Sequence, residues 1–146
     1  MENAETFYSI NQLAMISGLT DRTIRNYIAT GILQGEKING VWQFTAEQVE
    51  NFVSHSAVRP SILAKNNAAV YDFLQDSKKT DCEVCIILDL PGKSRPEISK
   101  YFCDRISNGD FHKIRFSFDG VTKVPRVILT GNAAEILQLA KDFLEK

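Results

Sequence analysis

Gly92-Lys93-Ser94, within the stretch ILDLPGKS, puts a glycine, a cation and a hydroxyl between an apolar run and a helix-like segment. A phosphate-binding loop occupies such a place, its backbone N–H groups and lysine cradling the anion. The full loop needs another glycine five positions before Gly92, and Ile87 stands there. Lys93 is therefore read as a loop charge and Ser94 as a helix cap, with a weaker anion site on Lys93 and Arg95 as the alternative. Cys82, Cys85 and Cys103 invite a thiolate metal site. Cys82 and Cys85 lie three positions apart, so an extended strand turns them to opposite faces. Cys85 and Cys103 read as small buried hydrophobes, one in a strand and one in the helix over it. No metal or other cofactor is expected. His55 and His112 lack partners for catalysis, and no nucleophile, base and oxyanion arrangement is found, so an enzyme is not expected. The remaining constellation, in TDRTIRNYIATGIL (residues 20–33), holds Thr20, Arg22, Thr23, Arg25 and Asn26. These are donors and small groups suited to phosphates and base edges. The simpler reading is a solvated helix face.

The flanking sequence decides how those donors are held. In YSINQLAMISG, Ser9 and Gln12 form a capping-box pattern, and Ile10, Leu13 and Ala14 fall on one helical face. Gly18 ends that helix and Leu19 plugs the corner. Thr20 caps a second helix that runs to about Thr30 and stops at Gly31. Ile24, Tyr27 and Ile28 share its inward face, leaving Arg22, Thr23 and Asn26 outward and Arg25 at the boundary. Two short helices joined by a tight glycine-containing turn make a helix-turn-helix. KINGVWQF then sets Asn39-Gly40 between alternating apolar residues, a strong hairpin signal. Thr45 and Gln48 open a third helix striped with Val49, Phe52 and Val53.

This order of parts resembles the winged helix-turn-helix of the MerR and excisionase-like superfamily, over roughly residues 7–53. The matching residues are YSINQLAMISGLTDRTIRNYIATGIL and NGVWQFTAEQVENF. The resemblance implies that the second helix (20–30) enters the major groove while the wing (36–44) flanks it on the backbone. Carried over by position, Thr20, Arg22, Thr23, Arg25 and Asn26 contact DNA, with Lys37, Asn39 and Gly40 from the wing. Two departures stand out. Asn26 precedes Tyr27 where MerR regulators have an aromatic pair. The wing reads Gly40-Val41-Trp42-Gln43-Phe44, without the usual arginine and closer to excisionase-like members. Trp42 is expected to pack the wing onto the third helix.

Net charge is an objection to this reading. The whole chain carries −1, and residues 1–60 hold four basic against six acidic side chains. Phosphate attraction normally supplies most DNA affinity. Two arginines, a lysine and helix-end amides dock one copy weakly, and a dimer multiplies that docking through effective concentration. A homodimer on an inverted repeat of double-stranded DNA is accordingly expected. One surface for it follows Pro60: Leu63, Asn67, Val70 and Leu74 repeat at heptad spacing, with asparagine inside the seam, and an exposed strand edge near Pro125 offers another. Ile62, Asn66, Ala69 and Phe73 form a parallel row, so a helix packed on its own C-terminal domain is the equal alternative.

In the last seventy residues EVCIILDL reads as a buried strand. A helix follows, with Ser94 as cap, Glu97 as its capping-box partner and Asn108-Gly109 at its exit. HKIRFSF and TKVPRVILT form a hairpin across Asp119-Gly120, and Pro125 suggests that the last strand is an edge or carries a bulge. GNAAEILQLAKDFLEK is a final helix with Ile136, Leu137, Ala140, Phe143 and Leu144 apolar. Strand, helix, strand, strand, helix resembles a ferredoxin-like unit lacking its last strand.

The expected fold is therefore α+β: an N-terminal winged helix-turn-helix (1–56), a linker and connecting helix (57–80), and a C-terminal β-α-β-β-α sandwich (81–146) that dimerises or senses an effector. No apolar run is long enough to span a bilayer and no secretory signal opens the chain, so a cytoplasmic setting with reduced thiols is expected. The function expected is sequence-specific DNA-binding transcriptional regulation. The alternative is a scaffold whose winged domain binds a protein partner.

Overall fold

A computed structural model describes residues 7–107, 114–119 and 123–146. The fold is mixed α+β, with six helices and two three-stranded antiparallel sheets among these residues. The expected exit at Asn108-Gly109, His112 and the turn residue Gly120 lie outside the described residues.

Local chemistry sets the N-terminal elements. Ser9 caps α1 (Ile10–Ser17) reciprocally, the Gln12 N–H donating to its Oγ while its own N–H donates to Gln12 Oε1. Gly18, at φ 77°, ends the helix in the left-handed conformation. The buried Ser17 hydroxyl donates to the Leu13 carbonyl at 2.7 Å and accepts from the Leu19 N–H at 3.1 Å, tying the turn to α1. Thr20 caps α2 (Asp21–Thr30), and Gly31 closes it. Strands β2 (Glu36–Ile38) and β3 (Val41–Thr45) follow as a hairpin. Asn39 and Gly40 between them both have positive φ, 52° and 80°, as a two-residue type I′ turn requires. A short β1 (Phe7–Tyr8) pairs with the other edge of β3, and Thr45 with Gln48 forms the capping box of α3 (Ala46–Ser54). Leu13, Ile24, Leu33, Phe44 and Phe52 fill the space inside.

The rest comprises α4 (Arg59–Gln75), β4 (Glu83–Asp89), α5 (Arg95–Ser107), β5 (Arg115–Asp119), β6 (Arg126–Asn132) and α6 (Ala133–Leu144). The sheet order is β4-β6-β5, so the last strand is central and not the edge that Pro125 suggested. The physical reason is that Pro125 precedes β6, where its missing N–H costs no ladder bond, while its carbonyl accepts from the Leu90 N–H. Helices α5 and α6 cover one face, with Phe102 stacked on Phe116 at 5.4 Å and Phe143 against Phe102 at 5.2 Å. Helix α4 crosses the opposite face over β5 and β6, where buried Asn66 accepts from the Ser117 hydroxyl.

Three further expectations are corrected. Strand β4 is not fully buried: it is an edge strand, and Ile87 stays 50% exposed because it points to the face that α4 covers over β6 and β5. The inward stripe of α6 is Ile136, Leu139, Ala140 and Phe143, while Leu137 and Leu144 face outward. Ser94 does receive the Glu97 N–H, but the Glu97 carboxylate turns to Lys146 instead of completing a box.

Buried side chains from both halves form one continuous cluster. Helix α1 packs on β5, the Tyr8 and Ser99 hydroxyls lie 3.3 Å apart, and Glu50 of α3 pairs with Arg95 of α5. No helix among the described residues is long and apolar enough to cross a membrane.

Candidate nucleic-acid interface

Helix α2 packs on α1 through buried Ile24 and half-buried Tyr27 and Ile28, with the Tyr27 ring edge-on to Phe52 at 5.6 Å. This anchoring leaves Thr20, Arg22, Arg25 and Asn26 exposed on the outward side, with Thr23 half-buried. Thr20 and Thr23 are partly committed to the helix start: the Thr23 N–H donates to Thr20 Oγ1 at 3.1 Å, and the two hydroxyls bond at 2.9 Å. Arg22 makes no ion pair with any described residue. Arg25 does, its Nε meeting Asp21 Oδ1 at 2.5 Å one turn back. Reading the sequence for donors passed over Asp21, although the i, i+4 spacing of an acid before an arginine is the signal for such a pair.

The wing adds Lys37, Asn39 and Gly40, all exposed. The Lys37 ammonium sits 5.8 Å from the centre of the Trp42 ring, which stacks on Phe44 at 6.3 Å. Trp42 thus packs against the core and also carries a wing cation on its face. Another residue sets the wing from below. A Cβ at Gly35 would come within 2.4 Å of the Phe44 ring, so glycine is needed where the hairpin leaves the core.

The other candidates are dispersed. Gly92 has φ 84°, Lys93 lies over the Phe143 ring at 5.5 Å, and Arg95 is held by Glu50, so the weak anion site lacks one of its two expected cations. His55 Nδ1 accepts the Ala57 N–H at 3.0 Å, a turn-forming role. Cys103 is buried in α5, its thiol pushed up to about 12 by burial and by the neighbouring Asp104. Cys85 is half-buried, a correction to the expected full burial, for it shares with Ile87 the face of edge strand β4 that α4 leaves open. Burial still raises its pKa. Cys82 is exposed just before β4. No group of three His, Cys, Asp or Glu among the described residues could hold a metal ion.

On α4, Ile62 and Asn66 are buried and Ala69 and Phe73 half-buried, so this row faces the chain's own sheet. Leu63 and Val70 of the heptad row are half-buried, whereas Asn67 and Leu74 are exposed, Leu74 by 70%. Tyr71, 62% exposed, adds to that outward side. No known protein family, curated protein or solved structure matches the chain.

Proposed function

We propose that the protein is a sequence-specific DNA-binding transcriptional regulator that lays α2 in the major groove and the β2-β3 wing along the flanking backbone. The observation that carries this is the outward side of α2. Arg22, Arg25 and Asn26 stand exposed on a helix anchored from behind, with the type I′ wing and Lys37 beside it. Bidentate arginine and asparagine contacts are the usual means of reading guanine and adenine edges. Glu50, one of the acids weighing against the reading, is tied to Arg95 on the side of α3 that meets α5.

One such helix supplies too few cations for the affinities of specific sites, so the regulator works as a homodimer on an inverted repeat. The exposed side of α4 with Tyr71 and Leu74 is the surface offered for pairing. Three free thiols fit a reducing, cytoplasmic setting. The test is selection of duplexes from a random pool by the full chain, followed by affinity measurements across salt. Enrichment of a two-fold symmetric site, with affinity falling steeply as salt rises, is expected. A pool that stays random, or binding indifferent to salt, overturns the proposal.

A further inference from the structure

The C-terminal sheet treats its two outer strands differently. Helix α1 packs on β5, whereas β4 pairs with no described strand other than β6. The free edge of β4 has a defined chemistry. The Ala133 N–H donates to the Cys82 carbonyl and the Leu90 N–H to the Pro125 carbonyl, both in register with the ladder. Bonded pairs alternate along an antiparallel ladder, so Val84, Ile86 and Leu88 bond inward to β6. Glu83, Cys85, Ile87 and Asp89 therefore turn their N–H and C=O groups outward. Sheet edges of this kind are ordinarily blunted by lysine, proline or a bulge. Strand β4 has none of these: it pairs with β6 without a break, and its charges, Glu83 and Asp89, stand at its two ends.

The side chains suit a strand like itself. Val84, Ile86 and Leu88 pack half-buried on the core from one face. Cys85 and Ile87 lie on the other, where α4 leaves the sheet open. Residues directly opposite in an antiparallel pair share a face, so two copies of β4 set apolar row on apolar row. Charge selects the register. A two-fold axis at Ile86 puts Glu83 opposite the partner's Asp89, and an axis at Cys85 puts Asp89 opposite the partner's Asp81. Like charges directly opposite are destabilising. An axis at Ile87 avoids both, setting Ile87 against the partner's Ile87 and Ile86 against the partner's Leu88. Glu83 then falls opposite the partner's Pro91, whose missing N–H ends the ladder, and the Asp89–Arg126 pair is undisturbed. The outward N–H and C=O groups of Cys85, Ile87 and Asp89 all find partners in this register.

We infer that β4 pairs antiparallel with β4 of a second copy about a two-fold axis at Ile87, joining two three-stranded sheets into one continuous sheet. The contact does not use Tyr71 or Leu74, so a chain that pairs through both surfaces joins dimers in twos. The inference does not rest on DNA binding, and its test contains no DNA. In a full-length Cys82→Ser, Cys85→Ser background, Ile87→Cys should form a disulfide-linked pair under mild oxidation, read on a non-reducing gel. Bonded antiparallel neighbours hold their Cα atoms about 5.5 Å apart, within disulfide reach. Glu83→Cys in the same background lies far from its own copy and should cross-link about tenfold more slowly or not at all. The wild-type chain supplies a second measurement that needs no variant to fold. Its Cys85, Ile87 and Asp89 amide protons should exchange more slowly as protein concentration rises, and Ile87→Lys should abolish that dependence. Equal cross-linking at both positions marks random collision and overturns the inference. So does exchange at these amides that ignores concentration, or that slows only when a different protein is added.

Discussion

Asp21→Asn should strengthen DNA binding while weakening the fold. In the free protein the Asp21 carboxylate holds Arg25 at 2.5 Å, with both side chains more than half exposed. An exposed pair of this kind contributes about 0.2–1 kcal/mol. Arg25 has to leave it to meet a phosphate, and the abandoned carboxylate then repels the same phosphate. Relieving both terms raises affinity by about two- to fivefold. The carboxylate also lies in the first turn of α2, where it complements the helix dipole by about 0.3–1 kcal/mol. Asparagine gives up both this and the ion pair, about 0.5–2 kcal/mol together, lowering Tm by about 2–8 °C in a chain of this size. Fluorescence anisotropy on the selected duplex and thermal denaturation read the two effects separately. Arg22→Ala provides the contrast. It should leave the fold intact, lose about tenfold or more in affinity and make the salt slope shallower by about one phosphate contact. In an Arg25→Ala background the gain from Asp21→Asn should shrink, since the pair no longer exists. Equal or weaker binding by Asp21→Asn in the wild-type background would refute the docking of Arg25.

Gly35→Ala should destabilise the protein by about 1–3 kcal/mol, read as a lower denaturation midpoint, because its Cβ would drive into the Phe44 ring. Leu74→Asp, at an exposed position on α4, should leave the fold unchanged and shift light scattering from twice the 16.4 kDa chain mass toward the monomer; an unchanged mass would place the dimer contact elsewhere. In the native protein a thiol reagent at mildly alkaline pH should label exposed Cys82 and spare buried Cys103. Burial and Asp104 raise the Cys103 thiol from 9.0 to about 12, so the folded state holds its proton more tightly than the unfolded state does. The resulting stability is full below pH 9.0 and is lost as pH climbs toward about 12, a decline that Cys103→Ala should flatten.

Local chemistry was the legible part of this fold. Ser9 with Gln12, Thr45 with Gln48, Asn39-Gly40, Gly18 and Gly31 act within four residues of themselves, and each stands where its side chain or free φ requires. The sheet order was less legible because it depends on pairings far apart in sequence, such as Val84 with Gly131. The two rows of α4 show why pattern alone stalls. Both are largely apolar and differ by about one residue of helical phase, so hydrophobicity does not choose between them. The choice falls with Asn66, a polar residue that can be buried only where a partner waits, and Ser117 supplies one. Its neighbour Asn67, the residue that marked the heptad seam, stays in solvent. The Tyr8–Ser99 and Glu50–Arg95 contacts, which join the N-terminal elements to α5, left no trace in any local pattern.

The net charge of −1 misleads for a related reason. It sums groups that cancel one another in place with groups that do not. Asp89 and Arg126 hold each other through two hydrogen bonds at one end of the sheet; that bonding keeps the Asp89 carboxyl below and the Arg126 guanidinium above its ordinary pKa. Lys100 with Asp104, Arg105 with Asp142, Lys146 with Glu97 and Arg95 with Glu50 pair in the same way. Such pairs project little field beyond a Debye length, about 8 Å at physiological salt. Of the two arginines on α2, Arg25 is paired with Asp21 and Arg22 pairs with no described residue. What governs an approaching polyanion is the arrangement of unpaired charge near the contact, and on α2 that arrangement is set by Asp21. Asp21→Asn is for this reason a sharper test of the interface than any change in total charge.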